Sequence, residues 1–279
     1  MKKLIILCAA ALSLAVACKD VPVEEKLANY KAKAEAIETA YSDQVKAIQE
    51  DANLSDEQKS EKFQAAYEAT ASEYIAEAKE AIKKNRDNEV AVVALSNISS
   101  MVEPEELSAI IATLKAPASE DEFVVSLLAK LESKNATAEG KMFTDFSVVQ
   151  DEKDPANSLV KFSDYVGRGK YVLVDFWASW GGPCKREIPN IAAVYEKYKG
   201  DNFDVLSVAV WDKPEDTKAS AIEHGIVWNQ IINAQKIPTD IYGIEGIPHI
   251  MLVGPDGTIV KRNLRGEEIE KAVAEALGR

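Results

Sequence analysis

Histidine and cysteine are scarce in this sequence, and their scarcity limits the kinds of site that it can contain. The 279 residues include two histidines and three cysteines, and these residues form no cluster with metal-ligand spacing. We therefore expect no structural metal ion and no bound cofactor. Basic residues are also in the minority, since 46 acidic residues against 33 basic ones give a net charge of −13. This charge argues against nucleic acid as a partner, because a nucleic-acid-binding surface needs a basic footprint.

Long hydrophobic runs are absent as well, apart from one short run at the N-terminus. Residues 4–17 carry no charge and follow two lysines, but they are too few to span a bilayer comfortably, which takes about 20 residues. This pattern predicts a signal peptide over residues 1–17. The run ends in LAVAC at Cys18, which resembles the lipobox of bacterial lipoproteins, although Ala15 replaces the usual branched aliphatic residue. The resemblance implies that Cys18 is lipidated and anchors the chain in the bacterial cell envelope, facing the periplasm, in the inner or the outer membrane.

Lipidation of Cys18 leaves little thiol chemistry in the mature chain. Cys8 lies inside the predicted signal peptide, so Cys184 is expected to be the only free thiol. An intramolecular disulfide is then impossible, although the cell envelope permits disulfides. The alternative is an ordinary cleaved signal peptide followed by an incidental cysteine.

The first half of the mature chain has the pattern of an all-α domain, predicted over residues 18–137. Apolar residues recur three or four positions apart along two long stripes, within 27–48 and 63–82, and shorter apolar segments follow. Residues 55–58 (SDEQ) have the sequence of a helix capping box. The segment 19–139 contains 25 acidic and 14 basic residues, which favours solvated helix faces over a surface dedicated to basic partners. The two long helices could pair as a hairpin or form a dimer, and the pattern does not decide between them.

The rest of the chain, residues 138–279, alternates between strand and helix patterns, which is typical of an α/β domain. A turn sequence, GPDG at 254–257, predicts a hairpin between the segments on either side of it. We expect a mostly parallel, mixed central sheet flanked by helices. The strand patterns lie at 170–178, 203–211, 249–253 and 258–262, and the helix patterns lie at 183–198, 214–224 and 267–277.

The order of these elements, together with one motif, resembles the thioredoxin fold. The sequence WASWGGPCKREIP occupies 177–189, at the end of the first long strand, and IP at 247–248 and GPDGTIV at 254–260 follow downstream. These residues are similar to those of the membrane-tethered, TlpA/ResA-like branch of thiol–disulfide oxidoreductases, over about residues 138–279. The resemblance implies a thioredoxin-like domain whose partners are protein or peptide thiols and disulfides in the cell envelope.

The motif departs from that family at the position that carries the chemistry. In a Cys-X-X-Cys motif the first sulfur lies at a helix N-terminus, where it is activated as the thiolate that attacks a disulfide. The second sulfur then resolves the mixed disulfide. Gly181 stands in the place of the first cysteine and Cys184 in the place of the second. Because the attacking sulfur is absent, we expect the chain to be unable to cycle as a dithiol reductase, and whether it is an enzyme stays open.

Two acidic residues near Cys184 match acidic residues of the family. Asp175 matches the buried carboxylate that shuttles the proton of the second cysteine, and is otherwise a carboxylate at a strand end. Glu187 matches an acid that tunes the site in ResA-like proteins, although the simpler interpretation as a surface glutamate near a helix N-terminus is preferred. Placed against an apolar strand and beside Asp175, the thiol of Cys184 is expected to be buried and mostly protonated at neutral pH.

Five residues are expected to form a groove that holds an extended polypeptide. Pro248 resembles the cis-proline of the family, whose preceding residue, here Ile247, offers backbone groups to a peptide. Trp180, Gly182 and Pro183 border the groove on the side of the motif.

Three hypotheses for the function follow from these residues. In the first, an oxidoreductase ancestry leaves some chemistry at Cys184; a peroxidase-like variant of this hypothesis is weak, because Gly181 breaks the Thr-X-X-Cys pattern of peroxiredoxins. In the second, the groove binds polypeptides without redox turnover. In the third, the glycine is a recent replacement of a cysteine in an active parent, and the rest of the site is intact.

Overall fold

The computed structural model describes residues 21–279, so the predicted signal peptide, Cys8 and Cys18 lie outside the described residues. The chain divides into two compact units, one up to Val125 and the other from Ser126 to Arg279. This division falls inside a helix, whereas the domain limit drawn from the sequence lies at residues 137–138 and stays a prediction. Within the described residues no helix is both long and apolar enough to cross a bilayer.

The first unit is entirely helical, which confirms the prediction of a helical N-terminal region. The second helix, α2 (Asp56–Lys84), begins with the expected capping box, in which the Ser55 hydroxyl accepts from the Gln58 amide and the Gln58 side chain accepts from the Ser55 amide. The first two helices pack against each other, and Lys33 and Glu77 pair across them at 2.7 Å. The two apolar stripes therefore form a hairpin within one chain. The helices are α1 (Val23–Glu50), α2 (Asp56–Lys84), α3 (Glu89–Ile98), α4 (Pro104–Ile111) and the first turn of α5 (Glu122–Ala136).

The second unit is built on a five-stranded mixed sheet, which confirms the predicted thioredoxin-like fold. The strands are β1 (Ser147–Val149), β2 (Leu159–Lys161), β3 (Tyr171–Trp177), β4 (Phe203–Ala209), β5 (Asn229–Ile231), β6 (His249–Val253) and β7 (Ile259–Lys261). Their order in the five-stranded sheet is β5-β4-β3-β6-β7, with β3, β4 and β5 parallel and with β6 and β7 antiparallel to their neighbours. The helices after α5 are α6 (Gly182–Tyr198), α7 (Pro214–Glu223), α8 (Ile237–Tyr242) and α9 (Glu267–Ala276).

Four short elements of this unit were not predicted from the sequence. β1 and β2 form a separate antiparallel pair, β5 is the edge strand beside β4, and α8 has six residues. Three to six residues are too few to show a hydrophobic period, so a pattern search does not find such elements.

β3 runs through the centre of the sheet and carries the residues that lie under the motif. Successive side chains of a strand point to opposite faces of the sheet. Leu173 and Trp177 pack in the same apolar cluster as Cys184, and the residues between them, apart from Asp175, pack on the other face. Asp175 lies at the alternate position between Leu173 and Trp177, so its carboxyl faces the layer that contains Cys184.

Candidate functional site

The motif lies where β3 leads into α6. β3 ends at Trp177, and α6 begins at Gly182 with Gly181 as its N-cap residue. The turn between them is closed by the Gly181 amide, which donates to the Ala178 carbonyl at 3.0 Å. Pro183 occupies the first turn of the helix, where its missing N–H costs nothing. Position 181 is therefore the place where the helix dipole would stabilise a thiolate most, and it carries no side chain.

Cys184 lies one helical turn further on, and its sulfur fills the space beside Gly181. The residue is 1 % exposed and is a free cysteine. A Cβ atom built on Gly181 would lie 2.6 Å from Cys184 Sγ and 3.2 Å from the Ala178 carbonyl oxygen. The first of these distances is far inside van der Waals contact. The missing side chain therefore does not open Cys184 to solvent, because the sulfur itself occupies the space.

The electrostatic surroundings of Cys184 keep its thiol protonated. Burial, with a contribution from the Asp175 carboxylate, raises the pKa of Cys184 to about 11. Asp175 is 1 % exposed, and burial, with a contribution from Glu187, raises the pKa of its carboxyl to about 7. One carboxyl oxygen of Asp175 has no hydrogen-bond partner among the described residues. The site thus contains a neutral thiol next to a carboxyl that titrates near neutral pH.

Glu187 links α6 to the start of α9. Its Oε2 accepts a hydrogen bond from the amide of Gly266, the N-cap residue of α9, at 3.1 Å, and another from Asn190 Nδ2 at 2.8 Å. The side chain is half-buried. These contacts tie two helices together and distinguish Glu187 from a solvated surface glutamate, which was the preferred interpretation of the sequence.

The turn before α6 is held by a residue that sequence reasoning missed. Asp212, in the loop after β4, is 7 % exposed and accepts hydrogen bonds from the Ser179 amide at 2.6 Å and the Ser179 hydroxyl at 2.9 Å. Thr217 Oγ1 donates to the same carboxylate at 2.9 Å. Beside it, Trp180 Nε1 donates to the Trp211 carbonyl at 3.0 Å. In the sequence, Asp212 resembles an ordinary residue before a helix, so no signal connected it with a turn 33 residues away.

Arg265, which sequence reasoning also missed, lies between the Ile247–Pro248 loop (the proline loop) and the buried thiol of Cys184. The Ile247–Pro248 peptide bond is cis, as the resemblance implied. Arg265 Nη2 donates to the Pro248 carbonyl oxygen. The charge of Arg265 opposes the increase that burial imposes on the pKa of Asp175 and of Cys184. The guanidinium therefore lies close enough to both the loop and the thiol to act on each.

The remaining predicted groove residues differ in how accessible they are. Trp180 is 62 % exposed, and Gly182 and Pro183 are exposed at the first turn of α6. Ile247 is half-buried and Pro248 is buried. The motif side thus presents an aromatic ring and exposed backbone, and the loop side presents mainly Ile247.

Comparison with known proteins agrees with this architecture. A model of the AhpC/TSA family matches residues 139–262. The thiol-disulfide oxidoreductase ResA of Geobacillus kaustophilus (strain HTA426) is 30 % identical over 141 residues, which are 50 % of this chain and 78 % of that protein. ResA of Bacillus subtilis (strain 168) is 25 % identical over 128 residues, or 46 % of this chain and 68 % of that protein.

Solved structures give similar matches over half of the chain. The thioredoxin domain of a thiol-disulfide oxidoreductase from Bacteroides vulgatus is 33 % identical, with a TM-score of 0.43, and covers 50 % of this chain and 96 % of that one. A putative thiol:disulfide interchange protein DsbE from Chlorobium tepidum is 26 % identical, with a TM-score of 0.44, and covers 50 % and 99 %.

The fold and the motif define a thioredoxin-like domain. The sequence comparisons narrow this class, and the chain belongs to the ResA/TlpA-like family of thiol–disulfide oxidoreductases.

Proposed function

We propose that this chain is a lipid-anchored, thioredoxin-like protein of the cell envelope that binds polypeptides without cycling as a dithiol reductase. The observation that carries the proposal is the glycine at position 181, whose side-chain space is taken by the buried sulfur of Cys184. A cycling reductase needs an accessible thiolate to attack and a second thiol to release the product. Cys184 offers one buried thiol with a pKa of about 11.

The residues around Cys184 suit the second thiol of a dithiol pair. Asp175 has a pKa of about 7, which fits a group that takes and releases a proton at neutral pH. Glu187 adds to that increase and fixes the start of α9. We assign to Asp175 the family's proton-handling role and to Glu187 its tuning role, although this chain has no first cysteine on which these residues could act.

Anchoring in the envelope rests on the sequence LAVAC at residues 14–18, outside the described residues. Diacylation at Cys18 gives stable anchoring, because two or more acyl chains hold a protein where a single chain is marginal. A dimer through the helical unit also stays a prediction. The two long helices pack on each other within one chain, and this packing does not test whether two chains associate.

Disulfide reduction tests the proposal most directly. We expect the purified chain to reduce insulin no faster than dithiothreitol alone. A Cβ at position 181 lies near the distance of about 3 Å that separates Cβ from the partner sulfur in a disulfide. Gly181→Cys should therefore form a bridge to Cys184 after a small movement and should gain turnover. Turnover by the unmodified chain that disappears in Cys184→Ser would refute the proposal.

Peptide binding tests the other half of the proposal. We expect an extended ten-residue peptide to shift the amide resonance of Ile247 and the indole resonance of Trp180, and Trp180→Ala to weaken binding. Ile222→Ala is the matched control, because Ile222 is an apolar side chain 83 % exposed elsewhere on the same unit. Equal losses in both variants, or no shift at Ile247, would contradict a binding groove at this place.

A peroxidase-like use of Cys184 needs an accessible thiolate, and the geometry opposes it. In the Cys8→Ser, Cys18→Ser chain, where Cys184 is the remaining thiol, we expect slow iodoacetamide labelling when folded and fast labelling when unfolded. Mild peroxide should give no stable sulfenic acid. A pH series is the measurement. A folded-state labelling midpoint below the value of about 8.5 for a free cysteine would favour single-cysteine chemistry instead.

A further inference from the structure

A groove of about 620 Å³ lies beside the cis-proline loop and shares Ile247 with it. Its walls come from the end of α5, the loop before β6 and the loop after β7, all within the second unit. Four of the side chains that line it are basic: Lys134, His249, Arg262 and Arg265. We call this surface the basic groove.

The acidic residues of the basic groove are already paired. Glu245 accepts from Lys134 Nζ at 2.5 Å, and this contact holds the pKa of its carboxyl below the usual range. Glu139 accepts from the Arg262 amide at 2.9 Å and pairs with Lys261 Nζ at 3.4 Å. Neither carboxylate is within ion-pair distance of a guanidinium.

The two guanidinium groups bind neutral oxygens instead. Arg262 donates to the Thr137 carbonyl at 2.7 Å, the Thr137 hydroxyl at 2.9 Å and the Tyr242 carbonyl at 2.6 Å. Arg265 donates to the carbonyls of Leu264 and Pro248. Among the described residues, neither guanidinium has a carboxylate within 4.0 Å, although both side chains are half-buried. A charge removed from water in this way is usually compensated by an opposite charge.

The state of His249 reports the same excess of positive charge. Burial, together with the positive charges of Arg262, Arg265 and Lys134, lowers the pKa of His249 to about 3. The imidazole is therefore neutral and carries no positive charge of its own. Its Nε2 faces Arg262 Nε at 3.4 Å. Asp175, a buried acid whose pKa the charge of Arg265 lowers, is partly protonated at neutral pH because its pKa is about 7.

We propose that the basic groove binds an acidic side chain of the polypeptide held at the Ile247–Pro248 loop, with Arg265 as the principal contact. This inference rests on the proposed function and names the class of polypeptide that the groove selects. A guanidinium presents paired donors that match the two oxygens of a carboxylate. Arg265 suits this role because it contacts the proline loop and makes fewer hydrogen bonds than Arg262. Arg265 donates to Leu264 and Pro248, whereas Arg262 donates to Thr137, Tyr242 and His249.

A pair of peptides tests the inference. Two extended ten-residue peptides, identical except for one Glu or Gln, are titrated into the full chain, with the variable residue placed at successive positions. At the best position we expect the Glu peptide to bind about fivefold more tightly than its Gln partner. Arg265→Gln should reduce this ratio to near one. Lys199→Gln is the control, because it removes one positive charge from the same unit at the end of α6.

The outcomes separate the two proposals. If both peptides bind equally at every position, or if the preference survives in Arg265→Gln, the acidic-residue inference is wrong while polypeptide binding stands. If neither peptide binds, the proposed function is wrong, and the inference that rests on it is wrong as well. If N-acetylglutamate alone binds as tightly as the Glu peptide, the groove takes free organic anions and the inference is again wrong.

A salt series covers the case in which Arg265→Gln does not fold. In the unmodified chain, the Glu preference should decrease between 0.05 and 0.5 M NaCl as the screening length shortens, while the Gln peptide changes little. A Glu preference that is independent of salt would overturn the inference without any variant.

Discussion

The two compact units of this protein bury different kinds of side chain. In the described part of the helical unit, Asn85 is the buried polar residue and the rest of the core is apolar. The second unit buries a larger polar set, which includes Asp175, Ser207, Asp212 and Thr217. The helical unit nevertheless holds more charge imbalance, with 22 acidic and 11 basic residues over 21–125.

This difference shows that the number of charges does not locate the functional unit. Solvated charges on helix faces are inexpensive, so their number says little about chemistry. A buried carboxyl is costly and persists where the surrounding structure compensates for it. Asp175 and Asp212 both lie next to the turn that carries Gly181, and they identify the second unit as the one that holds the site.

The largest effect that would test this comparison is the pH dependence contributed by Asp175. Its folded-state pKa of about 7 lies above the ordinary value of 3.8, so the folded chain retains a proton that the unfolded chain releases. The stability that this group contributes is fully present below pH 3.8 and is lost as the pH rises to about 7. The loss across this window is up to about 4 kcal/mol.

Urea unfolding at a series of pH values measures this loss. Asp175→Asn should flatten the difference between pH 4 and pH 8, whereas Asp201→Asn, at an exposed position on the same unit, should leave it unchanged. An unchanged pH slope in Asp175→Asn would show that the buried carboxyl does not distinguish the two units energetically.

A smaller effect is expected from filling the space at position 181. Gly181→Ala brings a Cβ to 2.6 Å from Cys184 Sγ, so the sulfur must move. We expect a loss of about 1–2 kcal/mol, which is typical of overpacking after the gain from replacing glycine. In a Cys184→Ala background the same substitution should cost little, because the sulfur is gone. Thermal unfolding of the four chains gives the coupling, and additive effects would contradict the packing of Cys184 over Gly181.

The smallest effect is expected in the helical unit. Lys33 and Glu77 pair at 2.7 Å across α1 and α2, but the lysine side chain is 63 % exposed. We expect Lys33→Ala to change the free energy of unfolding by less than about 1 kcal/mol, and less still at high salt. Lys31→Ala, at an exposed position on the same helix, is the control. A loss above about 2 kcal/mol would mean that this unit, too, depends on specific charge contacts.

Much of the fold was predictable from the chain itself. The long helices and core strands have sustained 3.6-residue periods or apolar runs, and the capping box at 55–58 formed as its residues indicated. β1, β2, β5 and α8 were missed because three to six residues carry no period. The order of the long elements was enough to predict the thioredoxin-like domain, since the connections between parallel strands restrict the topology.

At the site, the sequence by itself determined that the first sulfur of the motif is missing, because glycine stands at position 181 and cysteine at position 184. Only the tertiary structure decided what that absence does, because the sulfur of Cys184 lies in the space beside Gly181. It likewise decided the roles of Asp212, which binds a turn 33 residues away, and of Arg265, which reaches a loop 17 residues back. Hydrogen bonds and electrostatic shifts of pKa depend on distances in space. A local sequence pattern does not show that residues so far apart along the chain lie close together.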